Sequence, residues 1–360
     1  MEDKLKDLRD KIDTIDLQIL DLIQSRAAHA SKIGEIKKES SQFDGMFYKP
    51  EREIEIINKL TNDAIGPLKA KNVRSIFKEI ISACLSIEGE LSISYLGPEG
   101  SFSDAAKKDH FGSSVKSISE NTIEGIFKSV EEGRSNFGIV PFENSSQGVI
   151  NTTLNCLSDF DVDICGETII NIEHHLAARK ELKLSQIKKL VSHPQALGQC
   201  SRWIESNIGN IIKTPMASTA EAAKYVIEND DTAAIVSDLA IDKYKLHCIS
   251  RSIQDFKDNQ TRFLVVGNFK PDIAKKNKSS FLIRTENKPG ALLEILMPFS
   301  KHNINLYRIE TRPSRSDRGS HDFFIDSEGH MSDKVMQELI NEVKKKSNFV
   351  KLLGSYPVES

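Results

Sequence analysis

The chain has 360 residues, enough for two or three domains with cores of their own. Charged residues make up 28% and nearly cancel to a net charge of −3. No broad basic field therefore marks the chain for nucleic acid or an anionic membrane, and any anionic ligand must be held by local groups. No apolar run reaches membrane-spanning length, and the start Met1-Glu2-Asp3-Lys4-Leu5 is unlike a signal peptide. Cys84, Cys156, Cys165, Cys200 and Cys248 are scattered without a Cys-x-x-Cys pair, which fits reduced structural thiols of a cytoplasmic protein better than disulfides or a metal site.

From Leu5 the apolar residues Leu8, Ile12, Ile15, Ile19 and Leu22 follow at helical spacing, and no Pro or Gly occurs before Gly34. A helix over 5–37 would be roughly 48 Å long. The two shorter helices predicted over 50–64 and 69–88 cannot cover it, so a second copy of the chain is the natural cover. Arg9 and Arg26 would lie about 25 Å apart along its axis. One small ligand meets both only if Arg9 comes from an antiparallel neighbour, as a two-fold interface allows.

After Glu88-Gly89-Glu90 the texture changes to short β runs alternating with helices. Ser92–Leu96 reads as a strand, Gly97-Pro98-Glu99-Gly100 as a turn, and Ser101–Phe111 as a helix. Neither glycine-rich nucleotide motif is completed there. The run Gly138-Ile139-Val140 reads as a strand that stops at Pro141. A polar cluster from Glu143 to Gln147 follows, and then a helix from about Gly148. Such a cluster at a strand's carboxyl end and a helix's amino end favours an anion. Further strands are predicted near 163–172, at 233–236 and at 261–267. Ser218 with Glu221 three residues on is a helix start. Ser192 and His193 are adjacent and lack a Gly-x-Ser-x-Gly elbow, which argues against a serine hydrolase. His174 and His175 would point apart on a strand and not share a metal.

Residues 270–278 are charged, contain Pro271 and read as a linker. Beyond them the pattern is strand 280–285, helix 290–300, strand 305–311, strand 322–326, helix 333–346 and strand 350–356. This βαββαβ order is the ferredoxin-like plan.

Leu8-Arg9-Asp10-Lys11-Ile12, Arg26, Ile33-Gly34-Glu35-Ile36-Lys37, Tyr48-Lys49-Pro50-Glu51-Arg52-Glu53 and Glu88 resemble the all-helical chorismate mutases. The resemblance implies a homodimer converting chorismate to prephenate, a pericyclic step that needs a folded substrate and donors at the breaking ether bond. It places Arg26 and the neighbour's Arg9 on carboxylates, Lys37 at the ether oxygen and Glu51 on the ring hydroxyl. Glu88 would help at the ether oxygen only when protonated. Pro50 and Cys84 stand where some relatives carry Arg and Ser.

Tyr95-Leu96-Gly97-Pro98-Glu99-Gly100-Ser101-Phe102-Ser103, Val140-Pro141-Phe142-Glu143-Asn144-Ser145, Ser192-His193-Pro194-Gln195-Ala196, Ser218-Thr219-Ala220-Glu221-Ala222-Ala223 and Asn259-Gln260-Thr261-Arg262-Phe263 closely resemble prephenate dehydratase. The implied fold is two α/β lobes joined by crossing strands, like a periplasmic binding protein. The implied reaction removes CO₂ and the ring hydroxyl from prephenate. Thr261 would assist the departing hydroxyl, Asn144, Ser192 and Gln199 would position substrate oxygens, and Glu143, Ser145, Arg262 and Phe263 would line the substrate.

Asn287-Lys288-Pro289-Gly290-Ala291-Leu292, Ile309-Glu310-Thr311-Arg312-Pro313 and Phe323–His330 resemble the amino-acid-binding ACT domain. The implied effector is L-phenylalanine, held by Asn287, Gly290, Ala291, Leu292, Glu310 and Arg312. The expected layout is therefore a helical mutase domain over 1–90, a dehydratase domain over 91–270 and an ACT domain over 279–357. No metal or organic cofactor is expected. The rivals are a dehydratase whose helical domain only dimerises, and a non-catalytic small-molecule sensor, although no DNA-reading output segment is evident. If Glu88 acts protonated at the ether oxygen with a raised pKa, mutase turnover should fall as pH rises; a flat profile from about pH 5 to pH 9 removes the role.

Overall fold

A computed structural model of the protein describes residues 2–41, 45–315, 317 and 319–358. They form two compact units, one of residues up to Leu91 with Phe111–Lys116, the other of Ser92–His110 and Ser117 onward.

The first unit is three helices, α1 (Glu2–Glu39), α2 (Pro50–Asn62) and α3 (Ala70–Glu88). Pro50 opens α2 in its first turn, where a missing N–H breaks no helical hydrogen bond. The stripe predicted on α1 is present, but Leu8, Ile12, Ile15, Ile19 and Leu22 all remain exposed, Leu22 at 71%. Only Ala30 and Gly34 of α1 are buried among the described residues. At Gly34 a Cβ would stand 2.9 Å from the Cα of Glu88, so glycine lets α1 and α3 approach closely at that level.

In the second unit the first lobe contains β1 (Ser92–Leu96), α4 (Phe102–Phe111), β2 (Lys116–Glu120), α5 (Ile123–Glu131), β3 (Phe137–Asn144), β4 (Gly148–Val149), α6 (Asn151–Asp159) and β5 (Asp163–Asn171). The chain then builds a second lobe from β6 (His175–Ala178), β7 (Lys189–Ser192), α7 (Pro194–Gln199), α8 (Ser201–Asn207), β8 (Ile212–Pro215), α9 (Thr219–Ile227), β9 (Thr232–Val236), α10 (Asp238–Tyr244) and β10 (His247–Ser250). It returns along β11 (Gln260–Gly267), which inserts between β3 and β5 to give the order β2-β1-β3-β11-β5; the second lobe's order is β10-β6-β9-β7-β8. Two lobes with crossing strands were expected and are observed.

The strand expected to stop at Pro141 instead continues to Asn144, and the helix expected from Gly148 begins at Asn151. Proline is tolerated because the β3–β11 register shifts there. Arg262 pairs with Glu143 and Phe263 with Pro141, which leaves Phe142 as a bulge. The bulge puts Phe142 and Glu143 on one face of the sheet. Pro141 and Asn144 stay on the other.

The last part has β12 (Asn277–Glu286), α11 (Ala291–Lys301), β13 (Leu306–Pro313), β14 (Ser320–Glu328), α12 (Lys334–Lys344) and β15 (Phe349–Pro357), with sheet order β13-β14-β12-β15. Alternate residues divide its two faces. Phe281, Ile283, Phe323 and Ile325 pack under α11 and α12. Leu282, Phe324, Leu353 and Tyr356 join one core with Val140, Phe142 and Leu264 of the first lobe. The segment expected to be a linker has no helix or strand over 271–276, yet it is no flexible tether, because the sheet it leads to shares a core with the lobe before it.

Candidate active site

A cavity of about 350 Å³ opens between the two lobes. Leu96, Phe102 and Phe263 supply apolar walls, while Asn144, His174, His193, Gln199 and Thr261 supply polar ones. No Lys, Arg, Asp or Glu is among the described lining residues. Instead the amino ends of α4 (Phe102, Ser103) and α9 (Ser218, Thr219) reach it, where unpaired N–H groups and the helix dipole favour negative charge. The helix expected to do this, α6, contributes through the residues before it, Gly148 to Ile150.

Thr261 is buried at the end of β11 opposite Asn144, whose Nδ2 donates to its Oγ1 at 2.8 Å. The second hydrogen of the same amide goes to Asn259 Oδ1 at 2.9 Å. Gln199 reaches in from α7 and its Oε1 lies 2.7 Å from His174 Nε2. In the sequence His174 stands out only as unsuited to share a metal with His175, with no role in the cavity. It is buried in the cavity wall against the Phe102 ring, and burial holds its pKa below the ordinary value against the opposing hydrogen bond to Gln199. Among the described residues no group of three or more His, Cys, Asp or Glu is placed to hold a metal.

Four residues expected at the substrate stand elsewhere. Ser192 is fully buried and donates to the Ile235 carbonyl at 2.7 Å, so it ties β7 to β9 behind the cavity. Ser145 accepts from the Gln260 N–H at 3.0 Å and secures the loop. Arg262 and Glu143 occupy the opposite face of their strands from Thr261 and Asn144, as the two-residue period of a strand requires. Arg262 bonds Glu167 at 2.6 Å and Asp326 at 2.7 Å, and Glu143 pairs with Arg308 at 3.5 Å. Burial opposes the Arg262 charge, yet Tyr356, Asp326 and Glu167 hold its pKa above the ordinary guanidinium value. Phe263, one residue on, lines the cavity as expected.

In the helical unit Lys37 Nζ lies 3.1 Å from Glu88 Oε2 and donates to the Phe47 carbonyl at 3.1 Å. Arg26, half-buried, is about three turns earlier on α1, and Glu51 is in the first turn of α2. Arg9 is exposed near the far end of α1, so one chain brings Lys37 and Glu88 together but not Arg9.

Of the residues expected at an effector, Asn287, Gly290 and Leu292 are exposed at the β12–α11 turn, while Ala291 is buried beneath it. Gly290 has φ +84° and no atom within 4 Å of a would-be Cβ, so glycine supplies the left-handed turn and leaves open space. Arg312 and Glu310 point away from that role. Arg312 Nη2 donates to Asn155 Oδ1 of α6, and Glu310 pairs with Arg308 at 3.4 Å.

The architecture defines a class: a two-lobed cleft domain with an uncharged pocket, fused to a ferredoxin-like sheet and preceded by a helical unit. Residues 8–89 match the type II chorismate mutase family, 93–271 the prephenate dehydratase family and 279–344 the ACT domain. A bifunctional chorismate mutase/prephenate dehydratase of Stutzerimonas stutzeri is 40% identical over 357 residues, covering 99% of this chain and 98% of that one. The solved prephenate dehydratase of Arthrobacter aurescens, in complex with L-Phe, is 30% identical at a TM-score of 0.70, covering 75% of this chain and 90% of that one. The structure of GqqA, described as a novel type of quorum quenching acylase, is 25% identical at a TM-score of 0.67, covering 74% and 98%. The chain belongs to the family of bifunctional chorismate mutase/prephenate dehydratases.

Replacing Arg262 by Met would leave Glu167 and Asp326 buried without their shared cation. Urea unfolding at pH 7 should show a loss of about 3 kcal/mol or more. A loss below about 1 kcal/mol would mean that Lys278 and Tyr356 satisfy both carboxylates unaided.

Proposed function

We propose that the chain converts chorismate to prephenate in its helical unit and prephenate to phenylpyruvate in the two-lobed cavity, in the cytoplasm and under feedback by L-phenylalanine. One observation carries the dehydratase reading: a buried threonine hydroxyl, fixed by an amide donor, faces a cavity with no Lys, Arg, Asp or Glu among its described lining residues. Prephenate must lose a ring carboxylate as CO₂ and a ring hydroxyl as water, taking up one proton overall. Aromatisation supplies the driving force, so the protein has to hold the carboxylate where it is poorly solvated and bond the hydroxyl as it leaves. The walls of Leu96, Phe102 and Phe263 exclude water from the carboxylate, while the amino ends of α4 and α9 compensate the dianion without a fixed cation that would stabilise the carboxylate too well. Thr261 donates to the departing oxygen, Asn144 keeps it in place, and Gln199 reaches the substrate from the second lobe.

In the helical unit Lys37 faces the ether oxygen beside Glu88, Glu51 takes the ring hydroxyl, and Arg26 takes a carboxylate. Arg9 reaches the site from a second chain, whose α1 covers the apolar stripe in a homodimer. L-phenylalanine binds at the β12–α11 turn, its polar head on the backbone at Gly290 and Ala291 beside Asn287, its ring on Leu292. Binding inhibits by favouring the less active arrangement. Acyl transfer through Ser192 has no support in the cavity, since that hydroxyl is buried and bonded to a carbonyl.

Incubation of purified protein with chorismate, following prephenate and phenylpyruvate, tests both activities together. Accumulation of prephenate alone would leave only the mutase; no turnover would remove the mutase, and prephenate supplied directly would then test the dehydratase. Thr261→Ala should lower dehydratase turnover by on the order of 10² and retain mutase turnover; equal loss of both would indicate misfolding instead. Gly290→Trp should abolish inhibition by L-phenylalanine, and a variant inhibited as strongly as the parent would remove that site.

A further inference from the structure

The cavity contains a run of hydrogen bonds whose donors and acceptors can be assigned one after another from fixed chemistry. The Ser146 backbone N–H can only donate, and it lies 3.0 Å from one atom of the Asn144 amide, so that atom is Oδ1. The NH₂ of Asn144 therefore faces Thr261, and Thr261 Oγ1 is the acceptor at 2.8 Å. Ser146 Oγ stands 2.6 Å from the same Oδ1 and must donate to it. Its remaining partner, the Gln199 amide at 3.1 Å, is then the Nε2 donor. That assignment turns Gln199 Oε1 toward His174, whose Nε2 must carry the hydrogen of the 2.7 Å contact. Every link donates in one direction, from His174 through Gln199, Ser146 and Asn144 to Thr261. Two amides lie in the path, so it cannot conduct a proton. It can only orient one.

We infer that His174 and Ser146 are positioning residues of the dehydratase, which hold Thr261 as an acceptor toward Asn144 and thereby leave its own proton free for the substrate's departing hydroxyl. The inference rests on the dehydratase reading of the cavity. No acceptor for the Thr261 hydroxyl proton occurs among the described residues. His174 Nδ1 is buried without a partner, as expected of a neutral ring whose single hydrogen sits on Nε2. The run also crosses the lobes. Thr261, Asn144 and Ser146 belong to the first, Gln199 to the second, and His174 to the segment joining them. The Gln199 and His174 links therefore form only with the lobes together, and they reinforce in the closed cavity the hold that the Ser146 N–H and Asn259 already have on Asn144.

The test uses the full chain with prephenate as substrate and resolves kcat from KM. Ser146→Ala and His174→Leu should each lower dehydratase kcat about tenfold with KM within about twofold. Ser146→Thr keeps a hydroxyl, and His174→Gln keeps an N–H near the place of Nε2; both should recover most of the loss. The double variant Ser146→Ala with His174→Leu should be no slower than either single one, because one interrupted run cannot be interrupted twice. Multiplying losses, losses confined to KM, or kcat unchanged in Ser146→Ala would each overturn the inference, as would a fall in thermal stability that tracks kcat across the set. Failure of the unsubstituted protein to form phenylpyruvate from prephenate would overturn the dehydratase reading itself and the inference with it.

Discussion

The burial of Arg262 ties the first lobe to the ferredoxin-like sheet and fixes the strand that carries the candidate site. A guanidinium taken out of water is tolerable only when its donors are occupied by well-placed acceptors, and here Glu167, Asp326 and Tyr356 surround it while it lies over the Phe142 ring. Those partners come from the first lobe and from the ferredoxin-like sheet, so the charge joins the two. It also sets the register of β11. A slip by one residue would bring Arg262 into the cavity and push Thr261 into the shared apolar core, at a cost neither position could meet.

The sheet that holds the candidate site is consequently two-sided. Pro141, Asn144, Thr261 and Phe263 face the cavity, whereas Glu143 and Arg262 face the ferredoxin-like sheet through ion pairs. The same few residues of β3 and β11 therefore touch both environments. The Phe142 bulge makes this possible, because a regular strand would have put Phe142 and Asn144 on the same face.

The two proposed reactions make similar demands and are met by different means. Neither needs a nucleophile. In the helical unit a cation is held in place by Glu88 and by the Phe47 carbonyl, with Gly34 allowing the helices close enough for Lys37 to reach. In the cavity an uncharged donor is aligned by amides, and negative charge is left to helix ends, which suits a carboxylate that must be gripped yet remain easy to expel.

Much of this was legible in the sequence. The apolar period of 5–37, the β and helical alternation after Gly89 and the βαββαβ order near the C-terminus depend on local periodicity, and each element formed close to where it was expected. Asn144, Gln199, Thr261 and Phe263 were also recognisable as cavity residues from their motifs. What the motifs could not convey was direction. Glu143 and Arg262 adjoin cavity residues in sequence but face away, Ser192 turns to a carbonyl, and Arg312 turns to α6, because facing is set by pairing partners distant in the chain. Ser146 stood out only as one member of the 143–147 polar cluster, and His174 only as half of a histidine pair unsuited to a metal. Their significance arises only where residues 144, 146, 174, 199 and 261 meet, a coincidence that folding creates and one-dimensional spacing does not encode.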